Sequence, residues 1–448
     1  MSVNLTITLI FFTFLYYLFL IQKQLFQKYE ADVFIVGGGA AGVAAAVAAA
    51  RGGKSVFLAE SLGCFGGLGT SGLVPAFATF SDGERLIADG IGLEIRKNVS
   101  KEQPLDVRWG RIDAEELKRE YDRIMTEAGV QYSFFTTLYD VIKTGDHVDA
   151  VILGSKSGLF SVKAKIYIDC SGDGDLCAYA GADFEVGDQN GAVMPPTLCS
   201  LWCNIDNERL EKVQCNAFVE DAYAKGILSQ EDRHLPGMFC RAGGFGGGNL
   251  GHVFHTDPLD ETSLTAAMVK GRQLAMEYEQ YYKTYFKGYE NMLLCATGSI
   301  LGVRESRRIV CDYTLCVDDF CSRAVFEDEV GRYCYPVDIH VMSTDKAEYE
   351  RFEKEYRKDL RYAPGESYGI PYRSLIPKKL SNVLVAGRCM GTDRQMQASI
   401  RVMPGCFLTG QTAGAAAALA AESENVRSIE ISALKKALLK LGAYLPNA

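Results

Sequence analysis

Residues 31–60, "ADVFIVGGGAAGVAAAVAAARGGKSVFLAE", decide the fold of this chain. The apolar run at 32–36 predicts a strand, and the Ala-rich run at 40–51 is a strong helix former. Gly52 and Gly53 end that helix, and a second apolar run follows. Strand, helix and strand within about 30 residues predict a β-α-β unit, and hence a parallel sheet with a right-handed crossover.

Three glycines directly after the first strand indicate a dinucleotide site. They are Gly37, Gly39 and Gly42, and Glu60 stands at the end of the second strand. Gly37 allows a tight turn, Gly39 lets a pyrophosphate approach the backbone, and Gly42 lets helix and sheet pack closely. The helix N-terminus offers N–H groups and a positive dipole end to the phosphates. Glu60 is suited to accept hydrogen bonds from an unphosphorylated ribose.

The same glycine spacing recurs at Gly246, Gly248 and Gly251, within "RAGGFGGGNLGHVFH". Only a short apolar stretch precedes this second match, and no helix-like pattern follows it. We therefore predict a flexible or substrate-side loop there, because the spacing alone is weak evidence for a nucleotide site.

Two further features favour FAD over a nicotinamide cofactor. The chain stays rich in glycine after Glu60 ("SLGCFGGLGTSG"), as expected of a loop that lines a ribityl chain and a flavin ring. Near the C-terminus, "NVLVAG" returns to the sheet and a helix begins near Gly405. The N-terminus of such a helix can stabilise negative charge on a reduced flavin. A nicotinamide dehydrogenase has no need of this closing element.

The order of the predicted elements divides the chain into segments. Residues 31–185 form the first part of a nucleotide-binding domain, in which a helix capped by Asp113 and a β-meander follow the β-α-β unit. The pattern changes over 186–379, and we predict an inserted α+β cap domain there. Residues 380–448 close the nucleotide-binding domain. The predicted fold class is α/β, with a doubly wound, Rossmann-like domain interrupted by the cap.

The N-terminal segment predicts a membrane anchor. Residues 3–21, "VNLTITLIFFTFLYYLFLI", carry no charge, and their length suits one transmembrane helix. A cleaved signal peptide is the alternative, although neither a basic n-region nor a small-residue cleavage site precedes Glu30. Residues 1–30 would then form the anchor and its juxtamembrane segment. Because Lys23 and Lys28 follow the apolar run, the positive-inside rule predicts a single-pass protein with a cytosolic catalytic domain.

Charge and cysteine content exclude other classes. The net charge of −9, without a basic run, argues against nucleic acid as a partner, since a phosphate-backbone binder carries a basic stripe. The fourteen cysteines begin at Cys64 and are interpreted as reduced thiols. Cys311, Cys316, Cys321 and Cys334 are grouped, but their spacing matches no iron–sulfur or zinc pattern. We predict no metal site.

The chain resembles the FAD-dependent oxidoreductase family with the glutathione-reductase-like fold. The resemblance covers nearly all of residues 31–422. It is carried by the glycine fingerprint and by four further stretches: "YIDCSGDGDLCAYAGADFEVG", "GVRESRRIVCDYTL", "PYRSLIPKKLSNVLVAGRCMGTD" and "RVMPGCFLTGQTAGAAAALA". The GVRESRR element is typical of a subgroup of largely uncharacterised flavoproteins, so the resemblance implies no substrate. It implies non-covalent FAD held at or near Gly37, Gly39, Gly42, Glu60, Gly66, Gly67, Thr70, Leu138 (by its backbone), Gly172, Asp173, Gly387 and Gly414.

Five residues are candidates for catalysis, each with a structural alternative. Arg304 and Glu305, in "RESRR", suit the clamping of a substrate carboxylate or an oxyanion, or else belong to a salt-bridge lattice. Arg401 precedes the closing helix, where it faces flavin and substrate or ties the loop together. His252 and His255 lie in the Gly-rich segment and are acid–base candidates, or else hydrogen-bonded structural histidines.

These residues predict a FAD-dependent dehydrogenase or oxidase. Hydride would pass between a small organic substrate and flavin N5, with the substrate between the cap and the flavin ring. Dehydrogenation of a CH–OH, CH–NH or CH–CH bond is favoured over monooxygenation. One alternative is a fumarate-reductase-like reductase of an activated double bond, with Arg304 and Arg401 as carboxylate clamps. Another is a membrane-tethered flavin-binding redox module. Substrate, electron acceptor and oligomeric state stay open.

Overall fold

The computed structural model describes residues 26–447. Its strands are β1 (Gln27–Val36), β2 (Val56–Ala59), β3 (Ala76–Phe77), β4 (Gly110–Arg111), β5 (Gln131–Ser133), β6 (Thr137–Thr144), β7 (His147–Ser155), β8 (Gly158–Asp169), β9 (Phe184–Val186), β10 (Ser200–Cys203), β11 (Gly237–Arg241), β12 (Phe245–Asn249), β13 (Leu293–Thr297), β14 (Arg307–Ile309), β15 (Glu329–Tyr333), β16 (Tyr368–Pro371) and β17 (Val383–Val385).

The α-helices alternate with these strands. They are α1 (Ala40–Arg51), α2 (Ile91–Asn98), α3 (Ala114–Glu127), α4 (Asp175–Tyr179), α5 (Val219–Ala224), α6 (Glu261–Tyr285), α7 (Val317–Ser322), α8 (Lys346–Lys354), α9 (Arg394–Ile400), α10 (Met403–Ala420) and α11 (Ile431–Lys440). Asp113 caps α3 as predicted, since its side chain accepts hydrogen bonds from the N–H groups of Glu115 and Glu116.

A parallel sheet lies at the centre, in the order β5-β2-β1-β8-β17. Strand β8 is shared between two partners on one side. Its first half pairs antiparallel with β7, where Val162 faces Val151, and its second half pairs parallel with β17, where Tyr167 faces Val383. Because parallel strands end at one edge, the turns after β1, β2, β8 and β17 meet there. The predicted Rossmann-like sheet and its closing strand are confirmed.

Helices α1 and α10 pack against each other through small residues. A Cβ atom at Gly410 would collide with the carbonyl oxygen of Ala41, and one at Gly414 with that of Ala45. The two glycines therefore let the helices approach backbone to backbone. This packing accounts for Gly414, which the family resemblance placed at or near the flavin.

A second hydrophobic core lies in the inserted segment. There the antiparallel sheet β11-β12-β10-β13 and the long helix α6 surround buried residues that run from Leu198 to Leu301. The buried residues between Ile309 and Leu380 belong instead to the core of the nucleotide-binding domain. The predicted boundaries 186–379 stay a prediction. The loop predicted at the second glycine motif is wrong, because Gly246 and Gly248 lie in β12.

No helix among residues 26–447 is long and apolar enough to cross a membrane. The longest, α6, carries charged side chains along its length, and the apolar α10 is buried against α1. The predicted transmembrane segment, 3–21, lies outside the described residues, and β1 already begins at Gln27, inside the predicted juxtamembrane segment. The fold class is therefore corrected to α/β without that helix. The single-pass membrane localisation that rested on it is wrong on this finding.

Candidate active site

The fingerprint glycines form a turn that leaves room for a pyrophosphate. Gly37 has φ +88°, and a Cβ there would collide with the carbonyl oxygen of Cys170. A Cβ at Gly42 would collide with the carbonyl oxygen of Gly37, whereas one at Gly39 meets no described atom within 4 Å. No described side chain caps the N-terminus of α1, so its first N–H groups face this open space. The cradle thus fits a dinucleotide.

Glu60 is fixed beside that turn. Its carboxylate is buried and accepts hydrogen bonds from the backbone N–H groups of Gly38 (2.6 Å) and Leu62 (2.8 Å). Oε1 also accepts from the hydroxyl of Ser61 (3.2 Å), whereas Oε2, which accepts from Gly38, keeps lone-pair capacity for a ribose hydroxyl. The N–H of Thr136 donates to the carbonyl oxygen of Glu60 (2.9 Å), and this brings the start of β6, with Leu138, towards the same edge.

The glycine-rich loop after Glu60 folds back onto the fingerprint. The N–H of Gly66 donates to the carbonyl oxygen of Gly38 (2.8 Å), and a Cβ at Gly67 would lie 3.5 Å from the Cα of Gly39. The hydroxyl of Thr70 is buried and donates to the carbonyl oxygen of Phe65 (2.6 Å). Backbone, rather than side chains, therefore lines this side of the cradle.

The turns after β8 and β17 form the opposite side. Gly172 and Gly387 both have positive φ, +83° and +80°. Asp173 pairs with Arg388 at 2.7 Å between carboxylate and guanidinium, which joins the two turns. Arg388 is a residue that the sequence analysis did not single out. Apart from Gly414, the predicted cofactor residues thus gather near one edge of the sheet.

A cavity of about 920 Å³ lies between this edge and the cap. On the side of the nucleotide-binding domain it is lined by Leu68, from the glycine-rich loop, and by Met403, at the N-terminus of α10. On the cap side it is lined by Thr197 and His234, among others. Its volume lies within the range of ligand sites, roughly 300–1,000 Å³.

Arg304 places a buried positive charge in the wall of this cavity. Its guanidinium donates to the carbonyl oxygen of Pro195 (2.7 Å) and to the side-chain oxygen of Asn249 (3.3 Å). No carboxylate among residues 26–447 lies within 4 Å of it. Burial, and then the charge of Arg401, lower the pKa of Arg304 to about 10, so it stays charged at neutral pH. A buried charge with no carboxylate in direct contact is costly, which points to an anionic ligand.

The rest of the RESRR element forms a lattice instead. Glu305 is fully buried and accepts hydrogen bonds from the N–H of Met194 and from the guanidinium groups of Arg308 and Arg394, at 2.8–3.0 Å. Arg307 pairs with Asp175 at 2.7 Å. Of the two candidates in this element, Arg304 therefore lies against the cavity, and Glu305 lies in the lattice.

Three atoms in the cavity wall are buried without a hydrogen-bond partner in the described part of the chain. They are Nε of Arg401, Oγ1 of Thr197 and Nδ1 of His234. Arg401 itself is anchored by a hydrogen bond from its guanidinium to the carbonyl oxygen of Asp338 (3.1 Å). Buried polar atoms are nearly always hydrogen-bonded, so each of these three lining residues keeps one unsatisfied polar atom.

The two candidate histidines lie in different surroundings. His255 is exposed and does not line the cavity. His252 is fully buried behind the wall, with Nδ1 2.9 Å from a carboxylate oxygen of Asp232 and Nε2 2.6 Å from Nδ1 of His340. His340 and His234 do line the cavity. No local pattern marks these two histidines, because each stands alone in the sequence and only the tertiary fold brings them to His252.

The three histidines form a cluster that the sequence analysis did not foresee. Ring nitrogens of His234, His252 and His340 lie within 4.8 Å of one another, a spacing that could hold a metal ion. However, the rings of His234 and His340 are stacked, with centroids 4.2 Å and planes 14° apart. In-plane lone pairs of parallel rings do not converge on one ion. The positive charges of Arg304 and Arg401 also act on this cluster and disfavour a cation.

Comparison with known proteins assigns the family. The family model described as FAD dependent oxidoreductase matches residues 32–438. A geranylgeranyl bacteriochlorophyll reductase-like protein from Thermoplasma acidophilum is 12% identical, with a TM-score of 0.44 over 92% of this chain and 82% of that one. A flavin-dependent brominase is also 12% identical (TM-score 0.45; 92% and 83%), as is p-nitrophenol 4-monooxygenase from Pseudomonas putida (0.41; 92% and 84%). The comparison with curated proteins finds no significant match.

Proposed function

Since the chain belongs to the FAD-dependent oxidoreductase family, we propose that it acts on a small organic anion bound in the cavity between the cap and the FAD cradle. FAD, when bound, supplies the acceptor or donor of a hydride. The chain's own residues hold it at the fingerprint turn, beside Glu60 and between the turns that follow β8 and β17. The cavity holds the substrate.

The observation that carries this proposal is the buried guanidinium of Arg304. Its only described partners are neutral oxygens of Pro195 and Asn249. A carboxylate from the substrate would supply the missing countercharge in a geometry that a guanidinium recognises in bidentate fashion. Arg401, on the same wall, has an unpaired Nε and adds a second donor.

The positive charge of Arg304 and Arg401 also discriminates between the classes of substrate that a flavoenzyme can oxidise. A substrate amine is protonated at neutral pH, so two nearby arginines repel it. A hydroxy acid or a carboxylic acid with an oxidisable CH–CH bond is attracted. The remaining wall includes Leu68, Trp109 and Phe239, which suit an apolar body on that anion.

Anaerobic reduction of the bound flavin tests this proposal. We expect the flavin absorbance to bleach with members of a panel of hydroxy acids and other carboxylates, and not with the corresponding amines or uncharged alcohols. Bleaching by amines alone, or by no compound of the panel, would overturn it. If no compound of the panel bleaches the flavin, a flavin-binding redox module becomes the better description of the protein.

A substitution of Arg304 sharpens the test. Arg304→Met keeps an unbranched side chain and removes the guanidinium and its charge, so kcat/KM for the anionic substrate should fall on the order of 100-fold. FAD content should be unchanged, because Arg304 lies in the cavity wall. The matched control is Arg323→Met, which removes an exposed arginine paired with Glu366. Equal loss in both variants would contradict the role of Arg304.

A reductase of an activated double bond is the second candidate, favoured by the presence of two arginines on one wall. Such an enzyme clamps a dicarboxylate and runs in the opposite direction. Oxidation of the pre-reduced flavin by unsaturated dicarboxylates, faster than by any ketoacid, would select it over the dehydrogenase.

A further inference from the structure

We propose that His340 is the residue that exchanges a proton with the substrate, and that Asp232 and His252 position it for this step. The inference rests on the proposed function, because it needs an anion with a hydroxyl group in the cavity. It specifies the substrate as a hydroxy acid, whose carboxylate meets Arg304 and whose hydroxyl meets His340.

A buried chain of hydrogen bonds leads to His340. Asp232 is almost fully buried, and its carboxylate accepts from the backbone N–H of His252 (2.7 Å) and lies 2.9 Å from Nδ1 of the same residue. A carboxylate this close requires a proton on Nδ1 of His252, so Nε2 of that ring is an acceptor. The 2.6 Å contact to His340 then requires the proton to sit on Nδ1 of His340. Nε2 of His340 is left with its lone pair.

His340 is the member of this chain that reaches the cavity. Asp232 and His252 lie behind it and do not line the wall, whereas His340 lines it together with Arg304 and Arg401. Nε2 of His340 lies 3.5 Å from a carboxylate oxygen of Asp338, and Arg401 donates to the carbonyl oxygen of that same Asp338. His340 and Arg401 are thus both in contact with Asp338.

The reaction balances with these groups. The O–H bond of the hydroxy acid breaks and its proton goes to Nε2 of His340. When bound in the cradle, FAD would supply the two-electron acceptor for the hydrogen and electron pair of the adjacent C–H bond, and the substrate would become a ketoacid as its C=O bond forms. The resulting imidazolium is stabilised through His252 by the charge of Asp232, as a carboxylate stabilises the histidine of a catalytic triad.

The groups around His340 keep its ring neutral. The groups that face it are Arg304 and Arg401, the rings of His234 and His252, and Asp338. Burial first, and then the charge of Arg304, hold the pKa of His340 well below its usual range. The ring is therefore neutral at neutral pH, as a general base must be.

The experiment uses the full-length, FAD-loaded protein. His340→Gln should slow flavin bleaching by a hydroxy acid by about 10² to 10⁴-fold and remove the acid limb of its pH profile. Asp232→Asn should shift that limb and slow bleaching while FAD content is retained. The matched control is His147→Gln, at the start of β7 beside Glu424, where we expect wild-type rates.

A binding measurement separates the two proposals. A carboxylate without the hydroxyl group should perturb the oxidised flavin spectrum equally in wild type and in His340→Gln, and fail to do so in Arg304→Met. Absence of this binding in wild type would sink the proposed function itself. Normal binding together with wild-type bleaching in His340→Gln would overturn only the role of His340. Stoichiometric Zn²⁺ in the purified protein, lost in His340→Gln, would also overturn it, in favour of a metal site.

Discussion

Two matches to the spacing G-x-G-x-x-G, one beginning at Gly37 and the other at Gly246, do different things. In the first, Gly37, Gly39 and Gly42 follow a parallel strand and open a helix. In the second, Gly246 and Gly248 lie within an antiparallel strand of the cap.

The surroundings of the glycines explain the difference. Side chains at Gly37 and Gly42 would collide with backbone carbonyls, and Gly39 faces open space. In the second copy, Cβ atoms at Gly246 and Gly248 would meet the side chains of Ile205 and Trp202, at 2.7 Å in each case. The spacing therefore signals close approach, but the neighbouring elements decide whether backbone, a cofactor or a packed side chain approaches.

The largest expected effect is that of Gly42→Ala. Its methyl group would collide with the carbonyl oxygen of Gly37, and neither backbone segment can give way without moving the sheet or the helix. We expect a loss of about 3 kcal/mol in the free energy of unfolding, together with loss of FAD. Urea unfolding and the flavin-to-protein absorbance ratio measure both. A stable, fully yellow variant would contradict this view of the turn.

Gly39→Val should separate cofactor binding from folding. A Cβ at this position meets no described atom of the protein within 4 Å, and the valine side chain would occupy the space left for the pyrophosphate. The protein should fold, with about 1 kcal/mol lost at the helix N-cap, and should not retain FAD. Gel filtration followed by absorbance spectroscopy, with circular dichroism as the check on folding, decides this. Full flavin content would remove Gly39 from the phosphate site.

Gly251→Ala should do the opposite of Gly39→Val: the protein should retain FAD, and its inserted cap domain should be destabilised. Gly251 has φ +76°, and a Cβ there would collide with the ring of Tyr278. We expect about 2 kcal/mol of destabilisation and slower turnover, because His252 follows directly. Gly226→Ala is the matched control, since Gly226 has φ +71° and no described neighbour within 4 Å of a Cβ. Equal melting temperatures for the two variants would show that only backbone strain at positive φ destabilises the protein, and that the contact with Tyr278 does not.

The last expected effect is on the pH dependence of stability. Burial lowers the pKa of both His234 and His340, so below pH 6.5 the unfolded chain binds protons at these residues that the native protein does not. Stability should therefore fall as the pH is lowered from 6.5, by up to about 1.4 kcal/mol per pH unit for each histidine. Urea unfolding at pH 7.0 and 5.5 measures this. An unchanged slope in His340→Gln would contradict it.

Local pattern was sufficient for one part of the molecule and not for the other. The β-α-β unit, the helix N-cap at Asp113 and the closing strand follow from residues adjacent in sequence, and each was predicted. The histidine network joins Asp232, His252 and His340, which only the packing of the cap on the nucleotide-binding domain brings together. For the same reason the RESRR spacing did not reveal that Arg304 faces the cavity while Glu305 lies in a lattice.

Strand β8 sets the order in which the protein can be completed. During synthesis β1, β2 and β8 leave the ribosome early, but the second half of β8 stays an open edge until β17 arrives, and α1 stays uncovered until α10 follows. An open edge and an apolar helix favour wrong pairing during this interval. The turn at Gly387 also forms only then. We therefore expect FAD to bind late, only after β17 and α10 have been synthesised and folded onto the sheet.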